Sequence, residues 1–238
     1  MATQIELAGI VLDVIKKDIK NIHLSVYPPT GRVRISAPLR MNTDTIRLFA
    51  ISKLAWIKQQ QKVLQGQDRE SPRDYIDRES HYVWGRRYLL KVIEADAAPD
   101  VQIQHATLIL RVRMGSEESL RSAVLSEWYR RLLKQETVLQ IAAWEKRLNV
   151  TVNAFFVQQM KTKWGSCNPS AGTIRLNTEL AKKPKECLDY IVLHEMIHLV
   201  DPTHGPGFIA LMDRFMPAWR ETRNLLNSLP ARHEHWHY

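Results

Sequence analysis

Cysteine is scarce in this chain of 238 residues: only Cys167 and Cys187 occur, enough for one pairing and too few for a disulfide framework. A small secreted scaffold held by disulfides is excluded, and free thiols are expected. Long hydrophobic runs are missing as well. Nowhere do about eighteen apolar residues follow one another, which argues against a membrane-spanning helix. The segment Met1-Ala2-Thr3-Gln4-Ile5-Glu6 has no basic stretch leading into an apolar one, as a secretory leader would. A soluble cytoplasmic protein with no membrane partner is the expectation. No low-complexity tract or internal repeat is visible along the chain, and no nucleic-acid-binding motif.

What is plentiful is positive charge, with a formal net charge of +9. Such an excess can serve an electrostatic partner such as nucleic acid. Here it is spread over Arg32, Arg34, Arg86, Arg87, Arg111, Arg113, Arg130 and Arg131 instead of forming one tract, so a nucleic-acid partner has charge alone in its favour.

The most specific chemistry lies in His194-Glu195-Met196-Ile197-His198, followed by His204. On a helix, His194 and His198 are one turn apart and project from the same side, so their imidazoles can share one metal ion. Apolar neighbours Leu188, Ile191, Val192, Leu193, Met196, Ile197, Leu199 and Val200 place that helix in a core, where an unpaired polar cluster would be costly. Asp201-Pro202 ends the helix and lets the chain turn back with His204 as third ligand. Three protein ligands leave the fourth zinc position open to water, the pattern of a catalytic rather than a structural site. Glu195 is then the candidate general base, and one Zn²⁺ per chain is expected.

Around this motif the expected class is α+β. Residues 8–15, 22–27 and 31–36 read as strands, with a hairpin turn at Pro28-Pro29-Thr30-Gly31. A helix follows from Thr43 to about Leu64, capped by Asn42 or Thr43, then a polar loop over 65–79. Strands resume at 81–94, 101–104 and 107–112. Gly115-Ser116-Glu117-Glu118 marks the start of a long helix. Residues 150–158 read as a strand, Trp164-Gly165-Ser166-Cys167 as a tight turn and Thr173–Asn177 as a second strand. Pro184 opens the histidine helix, and two more helices cover Phe208–Phe215 and Trp219–Leu226. The expected division is a small β-rich N-terminal region over 1–114, a catalytic core over 115–230, and a His-rich tail over 231–238. In that tail His233, His235 and His237 are chelating but terminal, and a flexible end is expected.

Lys161-Thr162-Lys163-Trp164-Gly165-Ser166-Cys167, Ile174-Arg175-Leu176-Asn177, the run Leu188 to His198, and Pro217-Ala218-Trp219-Arg220 together resemble the YgjP-like metallopeptidases, metal-dependent hydrolases related to SprT-like proteases. The similarity extends through Tyr82–Tyr88 and Trp128–Arg131, covering roughly residues 20–228. Lys163 stands where arginine is usual, and Thr203-His204-Gly205 replaces a common Asn-His-Ser. The resemblance implies a zincin-like core that hydrolyses peptide bonds of a peptide or protein substrate, with His194, His198 and His204 on zinc and Glu195 as base. A metzincin places its third histidine at the same spacing, but Asp201 occupies its turn glycine, and Met212 and Met216 sit in a helical pattern suited to a core. The competing function is a basic nucleic-acid- or protein-binding adaptor with a structural zinc, against which the retained Glu195 speaks.

Several further residues carry two readings. Asp189 or Asp201 could orient a ligand histidine, or serve a helix surface and a turn. Ile174–Asn177 is expected as an edge strand onto which an extended peptide adds. Cys167 is a spare ligand or a small packed residue, with packing preferred. Arg175, Tyr190 and Arg220 are the candidates to stabilise an oxyanion.

Overall fold

The computed structural model describes residues 2–27, 30–66, 73–160 and 163–230. The chain divides into two compact units between Glu70 and Ser71.

In the first unit, β1 (Ala2–Leu7), β2 (Ile10–Lys17), β3 (His23–Tyr27) and β4 (Arg32–Pro38) form a sheet of order β1-β2-β4-β3. The outer pairs are antiparallel and the central pair β2/β4 is parallel. Alternation puts Leu12, Val14, Val33 and Ile35 on one face, where Ile46, Ala50 and Ile57 of two helices cover them. The strand expected at 8–15 begins only at Ile10, as β2, and β1 lies before it, joined through Ala8-Gly9, both with positive φ (48° and 77°) as a two-residue hairpin turn requires. Alanine carries no turn preference, which hid the first strand. The helix expected from Thr43 to Leu64 is two, α1 (Thr43–Ser52) and α2 (Leu54–Gly66). Lys53 N–H bonds Ala50 O, three residues back, and breaks the α-helical ladder. Asn42 caps α1, its side-chain oxygen accepting from Thr45 N–H at 2.8 Å.

The second unit opens on β5 (Ser80–Val83), β6 (Arg86–Glu94), β7 (Asp100–Gln104) and β8 (Thr107–Val112), in the order β5-β6-β8-β7. Again the outer pairs are antiparallel, the central pair is parallel, and the first hairpin turns on two positive-φ residues, Trp84-Gly85 (49° and 77°). Each sheet leads into a helix. The chain therefore repeats one ββββα plan, although no repeat shows in the sequence, because strand pairing asks for apolar alternation and turns, not particular residues.

The long α3 (Glu118–Leu148) turns Leu125, Tyr129, Leu133, Thr137, Ile141 and Trp144 inward at spacings of three and four, and ends where Asn149 enters the left-handed region (φ 53°). Those residues share one core with Leu90, Leu108, Leu110 and Val112 of the preceding sheet. For this reason the division between units falls at residue 70, not at the 114/115 boundary drawn from the sequence.

A three-stranded sheet follows: β9 (Ala154–Gln158), β10 (Gly165–Asn168) and β11 (Thr173–Asn177), in the order β10-β11-β9. Two expectations are corrected here. Residues 165–168 are a strand antiparallel to β11, and the reversal comes afterwards at Pro169–Gly172, where Gly172 has φ 62°. Moreover, β11 is central, parallel to β9 on its other side. Its Ile174 and Leu176 are fully buried, and the edges of the sheet are β10 and β9. A short 3-10 turn (Thr178–Lys182) then leads to α4 (Lys185–Ile197), α5 (Pro206–Phe215) and α6 (Trp219–Ser228). Met212 is fully buried in α5, as a core residue. Among the described residues no helix is long and apolar enough to cross a membrane. The His-rich tail lies outside the described residues.

Candidate metal centre

Helix α4 carries its apolar residues on almost every side: Leu188, Val192, Leu193, Met196 and Ile197 are fully buried. A helix so placed holds its polar side chains only where they have a use. His194 sits in its last turn and His198 is its C-cap. The helix stops there because Leu199 and Val200 N–H bond only three residues back, to Met196 O and Ile197 O at 3.0 and 2.8 Å, and Pro202 cannot continue the ladder. The chain turns, and His204 returns just before α5.

The three imidazoles converge. One ligand nitrogen from each lies within 4.8 Å of the others, and His194 Nε2 and His204 Nε2 are 3.0 Å apart. Tetrahedral zinc with nitrogen ligands at about 2.0–2.1 Å needs nitrogens roughly 3.3 Å apart, a spacing that lies within the range this donor set spans. His198 Nδ1 faces Asp201 O at 3.1 Å; donating there, it leaves Nε2 with its lone pair for a metal. Phe208 of α5, 2 % exposed, lies under all three rings at centroid distances of 4.9, 4.8 and 4.8 Å.

Protonation favours the same use. Burial, then the neighbouring His198 and His204, then Arg223, push His194 down to about 3. His204 is lowered by burial, by His198 and by Arg223. Neutral imidazoles are what a metal requires.

Glu195 follows His194 on the helix and is 5 % exposed. Burial raises its carboxyl to about 7, opposed by the positive charge of Lys163. It owes its place to Gly165, the first residue of β10. A Cβ there would stand 2.7 Å from Glu195 Oε1 and 2.8 Å from its Cγ. Only glycine lets the strand lie against the carboxylate. That segment is in turn held by Asn177, whose side-chain amide donates to Met160 O and Lys163 O, both at 2.9 Å, while its backbone N–H donates to Trp164 O.

A family model of the YgjP-like metallopeptidase domain matches residues 20–229. The chain belongs to this family. It is thus a metal-dependent peptidase by family, and His194, His198 and His204 form a group that could hold a metal ion. Two solved structures are similar over part of the chain. The metallopeptidase zymogen of Pyrococcus abyssi abylysin has 18% identity and a TM-score of 0.35, covering 40% of this chain and 90% of its own. The zymogen of Methanocaldococcus jannaschii jannalysin has 24% identity and a TM-score of 0.33, covering 40% and 92%. No curated protein matches the sequence.

Within this YgjP-like domain the remaining candidates separate. Asp201 serves a histidine through its backbone carbonyl, while its carboxylate closes the turn by accepting from Thr203 N and Oγ1 at 3.1 and 3.0 Å. Asp189 accepts from Trp144 Nε1 at 2.7 Å and ties α4 to α3, away from any imidazole. Cys167 is half-buried, stands outside the histidine cluster, and keeps its proton, burial pushing the thiol up to about 11.

Of the three oxyanion candidates one is at hand. Tyr190 packs 5.8 Å from the His194 ring and stacks on Trp219. Arg175 alternates with the buried Ile174 and Leu176, so it leaves the opposite face of the sheet and lies over Phe156. Arg220 is engaged by Asp213, which also accepts from Trp219 Nε1 at 2.7 Å. The Pro217–Arg220 string thus fixes the α5–α6 corner. Residues to which sequence reasoning gave no role in the site are Phe208, Lys163 and Arg223. Only the apolar pattern of α5 hinted at the first.

Proposed function

We propose that the chain is a zinc peptidase in which His194, His198 and His204 hold one Zn²⁺ and Glu195 is the general base. The observation that carries this is the convergence of three imidazoles, two from the end of α4 and one from the turn after it, beside the buried Glu195 carboxylate of α4. The bound ion supplies Lewis acidity that lowers the pKa of water toward neutrality and polarises a carbonyl. Glu195, held near neutrality by burial, takes the proton from the attacking water and returns it to the leaving amine. Phe208 and the Asp201 carbonyl keep the rings in place, and Tyr190 donates to the developing oxyanion from beside His194. An extended substrate adds to the open edge of β10, whose first residue touches the base.

The experiment is paired. Purified full-length protein should bind about one zinc per chain, and a His194→Ala, His198→Ala double variant should lose it. A mixed peptide library should be cut by the zinc-loaded wild type and left intact by Glu195→Gln, which retains its zinc. Cutting by both at equal rates would remove Glu195 from the chemistry. Full zinc with no cutting by the wild type would favour the adaptor.

A further inference from the structure

Two exposed cations flank the site and take no part in the chemistry above. Lys163 lies two residues before Gly165, and Asn177, itself buried, holds its backbone carbonyl. Arg223 is one turn beyond Trp219 on α6, and Trp219 stacks at 6.4 Å on Tyr190, the neighbour of His194. Neither cation forms an ion pair among the described residues. Lys163 lies on the segment leading into β10, whose Gly165 stands against Glu195, and Arg223 lies on α6, which packs through Trp219 and Tyr190 beside His194. The two charges are thus carried by two separate elements packed against α4. Their influence on Glu195 and on His194, His204 and Tyr190 is consistent with that placement.

We propose that Lys163 and Arg223 select for carboxylate side chains on either side of the scissile bond, so that the preferred substrate is an acidic peptide segment. This rests on the peptidase reading above. An acidic chain is also the partner toward which a net charge of +9 steers diffusion.

The test uses zinc-loaded full-length protein and three peptides that share one cleavable bond, flanked on both sides by Glu, Gln or Lys. Wild type should cut the Glu peptide about fivefold or more faster in kcat/KM than the Gln peptide, and the Lys peptide slowest. The preference should shrink in high salt. Arg223→Glu should turn the preference toward Lys on one side of the bond, and Arg223→Gln should flatten it there. Because each variant is judged by the ratio between peptides, a general loss of turnover cancels. Fluorescence anisotropy of the labelled peptides on Glu195→Gln should rank binding in the same order. Equal cutting of all three peptides, or an acidic preference unchanged in Arg223→Glu, overturns the selection while leaving the peptidase intact. Failure of the zinc-loaded wild type to cut any of the three overturns both.

Discussion

Replacing Gly165 by alanine isolates what the backbone of β10 does for the base. The new Cβ would meet Glu195 Oε1 at 2.7 Å, Cγ at 2.8 Å and the carboxyl carbon at 3.0 Å. Ordinary contact begins at about 3.5 Å, so either strand or side chain must retreat by roughly 0.7 Å. Glu195 has little freedom to do so, being 5 % exposed with the fully buried Met196 beside it. Overpacking of this kind costs about 1–3 kcal/mol. For a domain of this size each kcal/mol moves Tm by roughly 2–4 °C, so a fall of about 3–10 °C is expected. A catalytic group displaced by about 1 Å loses around a hundredfold in rate. In peptide cleavage, kcat should drop about 10- to 100-fold with KM little changed, while zinc content stays near one per chain because the histidines are untouched. Glu195→Gln is the control: activity is lost without the fall in Tm. Wild-type kcat in a folded Gly165→Ala protein would refute the reasoning, since Glu195 would then not depend on the strand beside it.

Other perturbations have outcomes of defined sign. In metal-free protein, burial holds the Glu195 carboxyl at about 7, above its ordinary 4.5, so its contribution to stability is complete below 4.5 and is lost as pH rises through 7. Glu195→Gln should match wild type in denaturant melts near pH 4.5 and exceed it near pH 8, by an amount on the order of 3 kcal/mol; equal stability at both pH values would contradict the burial. In the N-terminal unit Arg32 and Gln4 hold the Asp13 carboxyl below its ordinary range against the cost of burial. Its contribution is present above about 3.8 and is lost as pH falls through the lower folded value, and Asp13→Asn should cost about 1–3 kcal/mol at pH 7 in that unit's unfolding. Asp189→Ala removes the acceptor of Trp144 Nε1 and should destabilise by about 1–2 kcal/mol in thermal melts while zinc content is unchanged. A loss of zinc there would give Asp189 a place behind a ligand.

Legibility followed the range of the interaction that decides each feature. The histidine helix could be read because its periodicity is local, and Asp201-Pro202 signalled the turn that returns His204. Strands β3, β4, β8 and β11 announced themselves by alternation. The first hairpin did not, because Ala8 adopts the positive φ that Asn or Gly would have advertised. The Trp164–Cys167 string reads locally as a turn, yet pairing with β11 makes it a strand. Pairing on both sides likewise moved β11 from the edge to the centre.

By itself the sequence determined the chemistry available: two imidazoles and a carboxylate at helical spacing in an apolar setting, with a third imidazole beyond Asp201-Pro202, on a chain without a disulfide framework. Identity and spacing suffice for that, since one helical turn brings residues i and i+4 together. Only the tertiary structure decided how the groups are tuned and approached. Gly165 against the base, and Lys163 and Arg223 on the elements beside it, come from distant parts of the chain, while Phe208 under the rings and the Asp201 carbonyl on His198 are set by the turn that follows α4. Their contacts depend on how strands pair and helices pack, and spacing along a sequence carries no record of that.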